Sequence, residues 1–372
     1  LYYQEAGVSG RLLGVLAAIW PAGTVVGAAI WGALADATGR HRMVLVVATL
    51  TAIGSAQLFL FATSFVTLAP IIVVFSLAMS PIIPVVDNAV LDSLGRRRSK
   101  YGRVRLWGAV GWGVAAPLVG VLIDRLGLRV VFPVYGALML LTLAVSFLLP
   151  VGTAHLGAEI RAGIRMMAAD RRWSAFLLIV MIRGIGGAFI LHFLFIYLAE
   201  IGGSGTLRGV ALAIATVSEL FVFFFAHRVL ERFGPRRTIL FALGATAIRL
   251  LLYAIVSNPY LALAVQLMHG LTFSLFLVAA VNYAKELAPE GMGATAQAAM
   301  TSTNIGAGGI IGALLGGLLY ERVGLTSMFV AASLFLFLAC GLFAVFFGRS
   351  SDSGSRRAGD STTTGGGAPP TK

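Results

Sequence analysis

Eleven stretches of this chain are each long and apolar enough to cross a lipid bilayer, and that feature decides most of what the chain can become. They run approximately over residues 11–35, 43–64, 67–91, 102–124, 127–150, 173–199, 207–229, 238–257, 259–284, 294–320 and 325–347. A crossing helix needs roughly 20 mostly apolar residues. Lipid offers no water to backbone N–H and C=O groups, so such stretches are expected as helices with internal hydrogen bonds. Of the 372 residues, 58% are hydrophobic and 12% charged, against about 25% charged in soluble domains. A soluble enzyme does not fit this composition. A single cysteine, Cys340, excludes a disulfide scaffold. There is no P-loop, and five scattered histidines build no metal site. The chain is therefore expected to hold no catalytic site, no metal and no cofactor.

A net charge of +13 would suggest nucleic acid in a soluble protein. Here position explains it. If the loop over 35–42 faces the cytoplasm, 21 of the 28 lysines and arginines fall on that side. Five (Arg11, Arg125, Arg129, Arg208 and Arg322) fall on the other, and Arg183 and Arg249 lie within spans. This asymmetry is the positive-inside signal. It predicts a multi-pass protein of a prokaryotic inner membrane, with the C-terminus cytoplasmic and no nucleic-acid partner.

The chain repeats itself. At an offset of 195, Tyr2, Glu5, Gly7, Ser9, Gly10, Leu12, Gly14, Val15, Ala18 and Ile19 meet the same residue types at Tyr197, Glu200, Gly202, Ser204, Gly205, Leu207, Gly209, Val210, Ala213 and Ile214. Gly39 and Arg42 likewise meet Gly234 and Arg237. Two halves in the same orientation are a transporter arrangement. Tyr197 ends a full span, whereas Tyr2 has none before it, so the expectation is six plus six helices with the first one missing. The predicted division is a first half over 1–150, a central cytoplasmic loop over 151–172, a second half over 173–348 and a disordered tail over 349–372.

Residues Gly32-Ala-Leu-Ala-Asp36-Ala-Thr-Gly39-Arg40-His-Arg42 resemble the loop signature of the major facilitator superfamily. Gly32 allows close helix packing, Gly39 makes a turn, and Asp36 can pair with a cation in one state and release it in the other. With Arg40 these residues form a candidate conformational gate. The second half keeps Gly234-Pro235-Arg236-Arg237 without the aspartate. Pro81-x-x-Pro84-x-x-Asp87-Asn88, followed by Tyr101-Gly-Arg-Val-Arg105-Leu-Trp107-Gly108, resembles the branch of phenylpropionate-transporter-like proteins and the lactose permease group. The implied fold is an all-α membrane bundle of the major facilitator type.

Charged residues inside a membrane are functional candidates. Pro81, Pro84 and Asp87 share a face near an expected kink. In the lactose-permease-like branch, an acid and an arginine 18 positions later bind sugar, and a tryptophan seven residues further stacks on it. Asp87, Arg105 and Trp112 match that spacing. With Asn88 and His269 they are the candidate substrate-binding residues. The plainer reading is an interfacial ion pair and a packing tryptophan. Arg249 and His269, 20 apart, match an arginine–histidine spacing of the same group. There the arginine facilitates proton release and the histidine helps form the binding site. This chain departs from the group at Thr272, which stands where the protonated glutamate is expected. Glu219 is then the candidate proton carrier, with Arg249, Arg183 and His269 as coupling partners. An arginine that approaches the carboxylate favours loss of its proton, and one that withdraws favours recapture. A fixed Glu219–arginine structural pair is the alternative.

The glycines at 306, 308, 309, 312, 316 and 317 are expected to be packing surface. The same is expected of Gly108, Gly111, Gly113 and Gly120 around Pro117. The resulting expectation is proton-coupled uptake of a small organic solute, a sugar first, by a monomer working through alternating access on the proton gradient. Uptake of an aromatic acid or nucleoside, proton-coupled efflux, and an inactive fragment or membrane sensor are the alternatives.

Overall fold

The computed structural model describes residues 1–94, 101–148, 170–289 and 292–359. Among them there are helices and turns and no strand. In chain order the helices are α1 (Tyr2–Glu5), α2 (Gly10–Thr38), α3 (His41–Leu58), α4 (Phe65–Met79), α5 (Ile82–Leu94), α6 (Tyr101–Leu126) and α7 (Val131–Ser146), then α8 (Arg171–Glu200), α9 (Gly205–Ile255), α10 (Pro259–Gln266), α11 (Leu275–Leu287), α12 (Gly293–Thr301) and α13 (Gly308–Gly359). Wide π turns, Gly270–Ser274 and Ser302–Ala307, join α10 to α11 and α12 to α13.

Nine segments among the described residues are apolar and long enough to cross a membrane. Two of them, within α9 and α13, are broken by Gly234 and Gly324, whose backbone is not helical. Counted as two crossings each, they complete the eleven expected. The break between α4 and α5 falls at Ser80–Pro81, where proline supplies no N–H to the preceding turn. Polar side chains start the helices where the sequence leaves loops. Ser204 accepts from the Leu207 N–H, Asn258 from those of Tyr260 and Leu261, and Asp170 from that of Arg172.

The tail expected to be disordered over 349–372 departs from that reading. The helix of α13 continues to Gly359, because extending an existing helix needs no new nucleus. Most of the central loop over 151–172 lies outside the described residues, as do residues 360–372.

The repeat is visible in three dimensions. All six positive-φ glycines among the described residues fall into pairs: Gly7 with Gly202, Gly39 with Gly234, and Gly127 with Gly324. The first two pairs keep the offset of 195 and the third has 197. Tyr2 donates its hydroxyl to the Phe59 carbonyl and, at 3.1 Å, to that of Ala62; Tyr197 donates to the Val256 carbonyl at 2.5 Å. In each half the tyrosine just before the helix that runs to Gly39 or Gly234 is thus tied to the end of the crossing that follows that glycine.

The halves meet tightly at one end. A methyl group at Gly14 would lie 2.6 Å from the Ala313 carbonyl oxygen, and one at Gly317 2.6 Å from that of Gly10. Gly120 and Gly209 of the other pair, α6 and α9, press on the backbone of Gly205 and Ala116 in the same way. Along α6 the contact then loosens. A methyl at Gly113 would sit 3.7 Å from Thr216, and at Gly111 or Gly108 it would meet nothing within 4 Å. At these helix pairs the halves are shut against one another at the end near Gly120, and α6 is parted from α9 on the side near Gly108. Gly308, Gly312 and Gly316 pack against α8 within the second half, so one helix uses glycine on two faces.

Candidate functional site

The polar centre of the second half is built around Arg249. Its side chain is 2% exposed, on the second segment of α9. A guanidinium has five N–H donors and no acceptor, and here four partners receive it. Nη1 donates to Thr272 Oγ1 at 2.9 Å and to His269 Nδ1 at 2.8 Å; Nη2 donates to Gln266 Oε1 at 2.8 Å; and Nε donates to the Tyr253 hydroxyl at 3.2 Å. Because arginine can only donate, His269 Nδ1 must accept. The ring hydrogen then sits on Nε2, and Nε2 faces Glu219 Oε1 at 2.6 Å. Arg249 thereby sets the tautomer of a neutral imidazole that donates to a carboxylate. A proton arriving at this pair has its free lone pairs on Glu219.

The π turn over Gly270–Ser274 makes this geometry possible. Ser218, the neighbour of Glu219, donates to the Leu267 carbonyl at 2.5 Å and accepts from the Gly270 N–H at 2.8 Å. Gly270 has to lack a side chain, since a Cβ there would strike the Ser218 carbonyl oxygen. The Thr272 carbonyl receives Arg183 Nη2 from α8 at 3.1 Å. The Arg183 guanidinium also lies over the rings of Phe276 (4.8 Å) and Phe273 (5.5 Å). Among the described residues, the cluster sets two guanidinium groups against one carboxylate.

The structure thus brings Glu219, His269, Arg249 and Arg183 into one network. Glu219 meets the histidine, and neither arginine is within hydrogen-bonding distance of it, so the fixed Glu219–arginine pair does not form here. Gln266 and Tyr253 were not foreseen. The four-residue spacing of Arg249 and Tyr253 placed them on one face; Gln266 carried no signal beyond being polar within a span.

The first half is arranged differently. Asp87 is half-buried on α5, and Trp112 is exposed on α6. The side chains of Asn88, Arg105 and Asp36 lie outside the described residues. Of the other gate residues, Gly39 caps α2 in the left-handed conformation, Gly32 is half-buried and Arg40 is exposed. Trp112 lines a cavity of about 820 Å³ together with Tyr2, Trp20, Phe75, Tyr135 and His192. That cavity is largely apolar and does not include the Glu219–His269 pair. The parted stretch of α6 places Trp112 beside Gly113, which faces Thr216, one turn before Glu219.

Residues 1–331 match the family model described as "MFS_1 like family". The chain belongs to the MFS_1 like family of major facilitator transporters. It is similar to the maltose permease of Geobacillus stearothermophilus, at 29% identity over 86% of this chain and 81% of the relative. It is also similar to the probable 3-phenylpropionic acid transporter of Escherichia coli (strain K12), at 28% identity over 56% of each chain. Its fold matches the crystal structure of the nucleoside transporter NupG with a TM-score of 0.81, at 17% identity over 93% of this chain and 92% of that one. It is a multi-pass membrane transporter and not an enzyme.

Proposed function

We propose that this protein is a proton-coupled symporter that takes up a small organic solute by alternating access, with a sugar as the first substrate class. One observation carries the proton coupling: Glu219 is paired with a histidine whose other nitrogen is occupied by Arg249. That arrangement directs a proton to the carboxylate. Proton gain would change what His269 donates to and what charge Arg249 and Arg183 face. The positive-inside pattern supports the parted end being the cytoplasmic one. The sugar assignment is supported by the spacing of Asp87, Arg105 and Trp112 and by the likeness to a maltose permease.

A second reading is an aromatic acid. The excess of guanidinium charge in the second half favours an anion, and the likeness to a probable 3-phenylpropionic acid transporter supports it. The test is external pH in lightly buffered cells expressing the protein, on addition of disaccharides, monosaccharides, phenylpropionate-like acids or nucleosides. Alkalinisation by a sugar, lost in Glu219→Gln, is the expected result. Alkalinisation by the acids alone would replace the first reading with the second. No pH change with any class, in cells where the protein is inserted, would overturn proton-coupled uptake of these solutes.

A further inference from the structure

The shut end of the bundle is held by two carboxylates, each reaching from one half onto the first helical turn of the other. Asp124, near the end of α6, accepts from the Gly205 N–H at 2.6 Å, the Thr206 N–H at 2.7 Å and the Thr206 hydroxyl at 2.6 Å. These are the first two amides of α9, and a helix leaves its first amides without internal partners. The cap residue of α9, Ser204, is already engaged with the Leu207 N–H. On the opposite side, Glu321 Oε2 accepts from the Arg11 N–H, the second amide of α2. The cap residue there, Ser9, makes no side-chain cap bond of its own.

The two contacts are one contact repeated. Gly10 and Arg11 correspond to Gly205 and Thr206 at the offset of 195. Asp124 and Glu321 are 197 apart, the offset that also relates Gly127 to Gly324. The first helical residue is glycine in both places, and for a visible reason. A Cβ at Gly205 would lie 2.7 Å from Asp124 Oδ1, and one at Gly10 would lie 3.0 Å from Glu321 Cβ. A side chain at either position would keep the carboxylate out. A negative group at a helix N-terminus is also favoured by the aligned peptide dipoles.

We propose that Asp124 and Glu321 are reciprocal latches that set how far this protein rests with that end closed. Their hydrogen bonds cross from half to half, so opening that end breaks both sets at once and returns orphan amides to solvent. The proposal rests on the halves separating at this end during transport. Its test reads a distance rather than uptake, so it can fail while the transport reading stands, and the reverse.

The experiment places spin labels at Arg129→Cys and Arg322→Cys, one on each half, in a Cys340→Ser background, and records the distance distribution by pulsed electron resonance. Asp124→Asn and Glu321→Gln each replace a charged acceptor by an amide. Each is expected to enlarge the long-distance population by about fivefold, the effect of one lost cap, and the double variant by more than either alone. Thr206→Ala keeps both carboxylates and removes one hydroxyl donor. It gives a smaller shift in the same direction and serves where Asp124→Asn lowers the yield of folded protein. A double variant, or Thr206→Ala in its place, with the parent's distance distribution would overturn the proposal.

Discussion

The two halves share a backbone plan and differ in chemistry. Left-handed glycines, tyrosine anchors and inter-half caps recur in both. The residues of the Glu219–His269–Arg249 network do not. At the offset of 195, Glu219, Arg249 and His269 correspond to Thr24, Gly54 and Val74. The first two of those correspondents carry little to build with: Thr24 bonds back to the Trp20 carbonyl, and Gly54 has open space beside it. A repeated fold therefore fixes where the crossings, turns and close approaches must be. It leaves each half free to carry a different task. Among the described side chains, the buried arginines Arg183 and Arg249 lie in the second half, while the first offers half-buried Asp87 and the exposed Trp112.

The sharpest way to break that contrast is to remove its centre. Arg249→Met leaves the buried Gln266 and Thr272, and the half-buried His269, without their donor. It is expected to abolish uptake and to cost about 1–3 kcal/mol of stability, the scale for leaving buried polar groups unpaired, read by thermal unfolding in detergent. Glu219→Gln keeps shape and removes the proton acceptor. Proton movement should stop while exchange of labelled solute across the membrane persists, and loss of both would assign Glu219 to binding instead. Paired glycine substitutions compare a packed site with an open one. Gly209→Ala drives a methyl into the Ala116 carbonyl and should weaken closure of that end, seen as faster labelling of cysteines placed there. Gly54→Ala should stabilise the helix by about 0.5–1 kcal/mol, measured by the unfolding midpoint. The smallest effect tests the symmetry itself. Tyr2→Phe and Tyr197→Phe should each cost about 1 kcal/mol by chemical denaturation, and a large inequality would show that the repeated anchors carry unequal load.

Much of this architecture was legible in the sequence. The eleven crossings follow from apolar run length, and the repeat follows from identities that the paired glycine conformations reproduce. The Arg249–His269 pairing was visible as a spacing. The π turn over Gly270–Ser274 was not, because an inserted residue within a helix leaves no periodicity signal, and it is this turn that turns Thr272 toward both arginines. Gln266 was hidden for a similar reason: its role depends on which way the helix faces. The inter-half role of Asp124 and Glu321 was also missed. A signal existed in their shared offset with Gly127 and Gly324, but the partners they meet are backbone amides, which every residue type but proline presents alike. The helical run to Gly359 left no signal in its polar composition, because it continues a helix begun in the apolar span before it.

The close approach of Gly10, Gly14 and Gly317, and of Gly120, Gly205 and Gly209, has a consequence for leakage. A barrier made of side chains opens whenever a rotamer flips, and a file of water can follow. Main chain packed on main chain has no rotamers to flip. Where these helices touch, closure therefore depends on no side-chain rotamer.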